Sequence, residues 1–461
     1  MPTQCNAKQL EFSCVGGRRV VAAFEGGTVS SDAGALLLGR TDEAIGLIDR
    51  LAGCFSDERN PDAIEHTVRR LIGQRVFGMA LGYEDLNDHE QLRHDPVFGA
   101  LLGKLEAQRR SECAALAGKS TLNRLELHAR AGVDRYHKIR PKADEIEGLF
   151  VELFLEAHRA APAEIVLDLD ATDDPLHGQQ EGRFFHGFYG GYCYLPLYIF
   201  CGEHLLCAKL RRANIDASAG ALEEVQRIVT QIRERWPHTR IILRADSGFA
   251  RDALMSGCEV SGIDYVFGLA RNARLQRSIG AELHQARLES AQTGRSARRF
   301  KELFYATRRS WSRARRVLGK AEHLGEKSNP RFIVTSLSSR EWAGRELYEQ
   351  LYCARGEMEN RIKEAQLDLF ADRLSTATFR ANQLRLWFSS AAYVLMHALR
   401  RIALAGTHLS RACANTIRLK LLKIGAVVTV SVRRVKLAMS QASPYQGEFI
   451  AAFHALSAAA R

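Results

Sequence analysis

The chain has 461 residues, of which 46% are hydrophobic and 26% charged, and carries a formal net charge of +12. That length fits roughly two to four domains, and the composition excludes disordered and fibrous chains. The surplus of cation points to a polyanion rather than an acidic partner. Met1 to Cys5 shows no basic-then-apolar leader, and the ten cysteines follow no regular framework, so a cytosolic chain with reduced thiols is expected. Residues 8–25 read as two short strands around Gly16-Gly17. Ser30-Ser31-Asp32 offers caps for a helix from Ala33 to Leu38, and helical periodicity continues to about residue 158. Ile64, Val68, Leu71, Ile72, Val76 and Met79 keep helical spacing, with Arg69, Arg70 and Arg75 on the other face. Asp85 to His94 and Ser120 to His128 read as capped short helices, the second a candidate recognition helix.

From Ala163 the pattern changes to strands. Ile165–Leu169, Leu195–Phe200 and Leu205–Arg211 read as a meander, with a Gly-rich aromatic stretch, Gly182 to Tyr194, between the first two. Cys201-x2-His204-x2-Cys207 lacks zinc-finger spacing and is read as straddling a hairpin turn at Gly202-Glu203. A helix from Ser218 to Arg235 leads to a strand at Arg240–Leu243. Residues 260–340 read as strands and basic loops, in which Trp311 sits among Arg308, Arg309, Arg313, Arg315 and Arg316. A long helix from Glu346 to Leu369 places Tyr352, Arg355, Glu359 and Lys363 on one face. A second runs from Asn382 to Ala405. Its apolar part, Trp387 to Leu399, is too short to span a bilayer and ends in Arg400-Arg401, so no membrane partner is expected.

Charge is concentrated. From Arg373 to Gly447 there are twelve cations and no acid, and a second basic block lies between Arg295 and Lys320. Solvated surfaces usually mix both signs, so these blocks read as a nucleic-acid footprint, with Arg433, Arg434 and Lys436 as phosphate contacts.

The chemistry is concentrated at strand ends. In Ile165-Val166-Leu167-Asp168-Leu169-Asp170-Ala171-Thr172, the two acids alternate and so share a face. Two readings stand: a turn capped by both acids, or carboxylates held for a metal. Arg244-Ala245-Asp246-Ser247-Gly248-Phe249 delivers another acid where a strand turns on Gly. With the helix-borne Glu359 these acids suit two Mg²⁺ ions in phosphodiester chemistry, since hard cations take carboxylate oxygens.

These three motifs resemble a DDE transposase of a bacterial insertion sequence, in the group carrying a Tyr-x2-Arg-x3-Glu-x6-Lys signature. Here that signature stands as Tyr352, Arg355 and Glu359, with Gln366 at the family lysine and Lys363 nearby on the same helix face. The resemblance runs from about Gly27 to Pro444 and implies an α/β fold: a ribonuclease-H-like core interrupted by a β insertion. The layout it implies is a helical, DNA-binding segment at 1–158, core at 159–258 and 341–405, insertion at 259–340 and a basic region at 406–461. It further implies Asp170, Asp246 and Glu359 as catalytic metal ligands, two Mg²⁺ ions with Mn²⁺ as a substitute, double-stranded DNA (terminal inverted repeats and target), and a homodimeric synaptic complex. Tyr352, Arg355, Lys363, Arg308, Arg309 and Trp311 then contact DNA. The spacing selects Glu359 over Glu357, which lies about 200° around the helix. Two rivals stand beside it. Asp168-x-Asp170-x-Thr172 also fits a haloacid-dehalogenase-type phosphatase, and the basic blocks fit a non-catalytic DNA-binding protein derived from a transposase.

Overall fold

A computed structural model of the chain describes residues 9–106, 114–127, 136–324 and 327–459. Met1 to Cys5 and His128, which the sequence readings include, lie outside them. Two compact units divide the chain: Met1–Asp49, Arg59–Leu125 and Ala398–Arg461 form one, Arg50–Glu58 and Glu126–His397 the other.

The second unit is built on a mixed sheet of nine strands among the described residues. Its main strands are β1 (Glu164–Ala171), β2 (Leu197–Cys201), β3 (His204–Lys209), β4 (Arg240–Ala245), β5 (Asp264–Leu269), β6 (Ala297–Tyr305), β7 (Arg315–Leu324) and β8 (Arg331–Thr335). They lie in the order β3–β2–β1–β4–β5–β8–β7–β6. β1, β4 and β5 run parallel, and the pairs on either side are antiparallel. The meander is present, with Gly202 in the left-handed region (φ 58) where β2 turns into β3. Glycine takes that conformation without the Cβ penalty.

Alternation along the strands sorts the side chains. Ile165, Leu167 and Leu169 of β1, Ile241, Leu243 and Ala245 of β4, and Tyr265 and Phe267 of β5 enter one core with helix Ala221–Arg235. That helix buries Val225, Ile228, Val229 and Ile232, spaced for one face. The intervening residues Val166, Ile242 and Val266 join a second cluster with Leu347, Tyr348 and Leu351. Asp168, Asp170, Arg244 and Gly268 belong by alternation to this second face.

One expectation for 260–340 changes. Helices Ala273–Ser278 and Gly280–Thr293 occupy part of the stretch read as strands and loops. β6 and β7 are long and pair along their length, and β7 is buried on both faces, with Val317 and Ala321 in the main core and Leu318 in the second cluster. Both continue the sheet that carries Asp168 and Asp170.

In the first unit, strands Leu10–Val15 and Arg18–Ala22 turn at Gly16-Gly17 as expected. Val29–Ser30, Ala426–Ser431 and Arg434–Met439 form a three-stranded sheet. Helix Val68–Ala80 starts on Thr67, whose hydroxyl accepts a hydrogen bond from Arg70 N, and buries Leu71, Ile72, Val76 and Met79. Arg75 is buried too, not solvated, with Nη1 3.2 Å from His89 Nε2. Asp32 makes no side-chain cap; its carboxylate takes a hydrogen bond from Tyr83 and an ion pair from Lys423 (both 2.7 Å). Being buried, it pairs with a cation far along the chain rather than with its own helix. Among the described residues no helix is long and apolar enough to cross a membrane.

Candidate active site

The sheet register builds the site. Arg244 of β4 lies beside Asp168 of β1, and Ala245 beside Leu169. The parallel ladder therefore carries Asp246, the next residue, toward Asp170. Asp246 Oδ1 accepts a hydrogen bond from Gly248 N at 2.8 Å, which fixes the carboxyl at the start of the turn Ser247–Phe249. Asp168 points the same way but is locked: Arg244 donates Nε to Oδ1 (2.5 Å) and Nη2 to Oδ2 (2.8 Å). With both oxygens engaged and the residue buried, Asp168 is no exposed nucleophile, and the phosphatase reading loses its first acid.

Residues 344–368 are continuously helical but uneven. A π-helical turn (Leu347–Tyr352) and a 3-10 turn (Cys353–Arg355) precede helix Gly356–Lys363. Such irregular turns are frequent at functional sites. Arg244 Nη1 donates to Leu351 O at 2.5 Å, tying the segment to the strand ends. Arg355 Nη2 donates to Glu359 Oε1 at 2.7 Å, while Nη1 stands 3.9 Å from Asp170 Oδ1. Arg355 thus links the strand-end acid to Glu359, and Glu357 is exposed. A residue that sequence reasoning missed is Gly268, on β5 next to Asp246. A Cβ there would stand 2.6 Å from the Tyr352 hydroxyl and 2.9 Å from Ser247 N. Only glycine lets the tyrosine and the Asp246 turn close over that strand, a requirement set by β4–β5 pairing and invisible locally. Beside Asp246 opens a cavity of about 510 Å³, lined by Ser247, Arg271, Arg331, Tyr352 and Arg355 among others.

Burial raises Asp170 to about 6; Arg355 opposes this, and the negative charges of Asp246 and Glu359 add to it. Burial works against the charge of Arg355, but Asp170, Tyr352, Glu359 and Asp246 together hold it above its ordinary value. A partly buried carboxylate in the field of two others, with its guanidinium partner 3.9 Å away, is short of positive charge. The oxygen donor set and this deficit fit a divalent cation. Among the described residues no three such side chains stand close enough to hold one in this arrangement, in which Glu359 is paired with Arg355.

The folded, metal-free protein keeps a proton on Asp170 that the unfolded chain releases near 3.8. The contribution of Asp170 to stability is therefore lost as pH rises from about 4 to about 6. Asp170→Asn is expected to exceed the parent at pH 8 by up to about 3 kcal/mol, and to match it near pH 4, in urea unfolding without metal. Parallel stability–pH curves for the two would contradict this.

The remaining residues separate. Lys363 is exposed, and Gln366 donates to the buried Asp174 carboxyl (2.8 Å) and to Asp173 O (3.3 Å). Arg308 and Arg309 are exposed. Trp311 is partly buried, packed on the main core and edge-on to Tyr305 at 5.7 Å, with Arg315 over its ring. Arg433, Arg434 and Lys436 are exposed on the hairpin of Ala426–Ser431 and Arg434–Met439.

The basic blocks are not free footprints. Arg298 pairs with Glu322 and Glu349, Arg299 with Glu289, Arg313 with Glu259, Arg315 with Asp252 and Glu259, and Arg316 with Glu302. Of the twelve later cations, Arg385 pairs with Glu126 and Lys423 with Asp32, while Arg400 and Arg418 are buried on backbone carbonyls. Several partners, such as Asp252 and Glu259 of Arg315, Glu126 of Arg385 and Asp32 of Lys423, lie outside the blocks, where a local charge count does not see them.

The class that this fold and these acids define is borne out by comparison. A sequence model of the family described as transposase DDE domain group 1 matches residues 12–461, nearly the whole chain, and the protein belongs to that family. Its members are transposases, enzymes that act on DNA and generally depend on a divalent metal. A search of curated proteins found no match.

Proposed function

We propose that the chain is the transposase of a bacterial insertion sequence, of the Tyr-x2-Arg-x3-Glu group. In this reading it cuts element-end DNA and joins it to a target in a Mg²⁺-dependent reaction on a ribonuclease-H-like core. The observation that carries the proposal is the meeting of three elements: β1 and β4 bring Asp170 and Asp246 to adjacent strand ends, and Arg355 links Asp170 to Glu359. Asp170, Asp246 and Glu359 are the residues to hold the metal. When bound, divalent metal supplies charge stabilisation for the attacking and leaving oxygens of phosphodiester displacement.

The chain's own residues do the rest. Asp246 is oriented by the Gly248 amide. Arg355 pairs with Glu359 here, and with Glu359 as a metal ligand its guanidinium would be free to hold a phosphate oxygen. Tyr352, wedged over Gly268, lines the cavity beside Asp246 and orients the strand entering it. In this reading the exposed Lys363, Arg308 and Arg309 of one unit, and separately the exposed Arg433, Arg434 and Lys436 of the other, contact DNA phosphates, with Trp311 beside Arg315 as a supporting contact. We assign DNA binding to 1–158 and 406–461, the core to 159–258 and 341–405, and the interval 259–340 to the insertion. Action as a synaptic dimer in the bacterial cytoplasm follows from the same reading.

The test is incubation of the purified chain with duplex DNA from the sequence flanking its own gene. Mg²⁺-dependent strand breaks at a fixed position, abolished by chelator, are expected; the absence of any metal-dependent break in that DNA would overturn the proposal. A second expectation concerns Arg433, Arg434 and Lys436. Replacing all three with Gln should weaken binding to every sequence alike and flatten log affinity against log salt by about 3. An unchanged slope would assign these cations to folding or assembly.

A further inference from the structure

Asp170 is followed by a small sheet, Asp174–Pro175, Phe184–His186 and Gly191–Tyr194, whose outer surface is aromatic. Phe185 (59% exposed), Phe188 (86%) and Tyr192 (47%) face solvent, and Phe184 and Tyr189 are also open. The rings are ordered against one another: Phe185 lies across from Tyr192 in the ladder at 5.7 Å, and Phe188 is edge-on to Tyr189 at 5.0 Å. The inner side of the same strand buries Cys193 with Leu195, Ala213 and Ala171, so the sheet is anchored on the end of β1. Tyr189 adds a second tether, its hydroxyl donating to Ala171 O at 3.3 Å. Burial, then Asp173, Asp170 and Asp246, push that hydroxyl up to about 12, which places the ring within the field of both strand-end acids. Cations flank the rings. The Arg183 guanidinium lies 4.6 Å from the Tyr192 centroid, and Arg212 is exposed beside Gly182.

We propose that this aromatic hairpin, residues 184–192, stacks unpaired bases of the DNA strand whose phosphodiester lies at Asp170 and Asp246. The proposal rests on the reading of those acids as the cleavage site. Flat rings interleaved with arginine are the elements that hold single strands without reading sequence. The five open side chains here are all Phe or Tyr, so each presents a π face on which a base can stack. The tether to Ala171 puts the rings next to the reacting phosphate, where strand separation would expose bases.

The experiment uses the full chain, without divalent metal, and two DNAs of equal length: a paired duplex, and a fork with 2-aminopurine in its unpaired arm at the junction. Preference for the fork by roughly ten-fold is expected, with quenching of the 2-aminopurine by ring stacking. Phe188→Ala, at a side chain too exposed to support the fold, and Phe185→Ala should each lose most of the preference and the quenching while duplex affinity is kept. Equal affinity of the parent for both DNAs, or alanine variants that quench like the parent, would overturn the proposal. Unchanged quenching together with a lost dimer would instead make this face a contact between copies of the chain. Fork preference without Mg²⁺-dependent cleavage of any DNA would overturn the reading of the acids and leave the stacking surface; cleavage without fork preference would do the reverse.

Discussion

Asp246→Asn is expected to slow cleavage of element-end DNA by roughly 10³-fold or more, because a metal-held carboxylate supplies several kcal/mol of transition-state charge stabilisation. DNA affinity should be nearly unchanged, since the substitution keeps the side-chain oxygen that accepts from Gly248 N and touches no exposed cation. Cleavage and affinity are read on the same duplex, by gel and by anisotropy. Parallel loss of both would make Asp246 a structural acid of the turn Ser247–Phe249.

The largest stability effect is expected at Arg244. Its guanidinium satisfies both oxygens of buried Asp168 and holds Leu351 O as well. Arg244→Met strands a buried carboxylate and should cost about 3–5 kcal/mol in urea unfolding. Asp168→Leu with Arg244→Met replaces the pair by apolar side chains and should recover most of that stability. Activity should stay low in the double variant, because the tie from the strand ends to the segment bearing Arg355 and Glu359 is gone. A single-variant cost under about 1 kcal/mol would show that the buried pair is not what holds these elements together.

The strand-end acids are legible in the sequence because an apolar run entering Asp-x-Asp, or Asp before Ser-Gly, breaks strand patterning in a way that local chemistry must answer. The shared helix face of Tyr352, Arg355 and Glu359 is legible from spacing alone, even though the helix contains π and 3-10 turns. What spacing does not carry is pairing between distant segments. Gly268 matters because β5 lies against β4, and Arg315 is neutralised by Asp252 and Glu259 some sixty residues earlier. Helices Ala273–Ser278 and Gly280–Thr293 are hard to read because they are short or weakly amphipathic, the second burying only Ala286 and Ser290. Asp32 reads as a cap until its partners Tyr83 and Lys423 are seen.

On the proposed function, Asp170, Asp246 and Glu359 act together on one metal-dependent site. The direct measurement is Mn²⁺ binding to the DNA-bound chain, followed by electron paramagnetic resonance, for Asp170→Asn, Asp246→Asn, Glu359→Gln and Glu357→Gln. Each of the first three is expected to weaken binding at least about ten-fold, as loss of a metal-supporting group does, and Glu357→Gln to bind like the parent. Normal binding by Glu359→Gln, with loss in Glu357→Gln, would contradict that shared site.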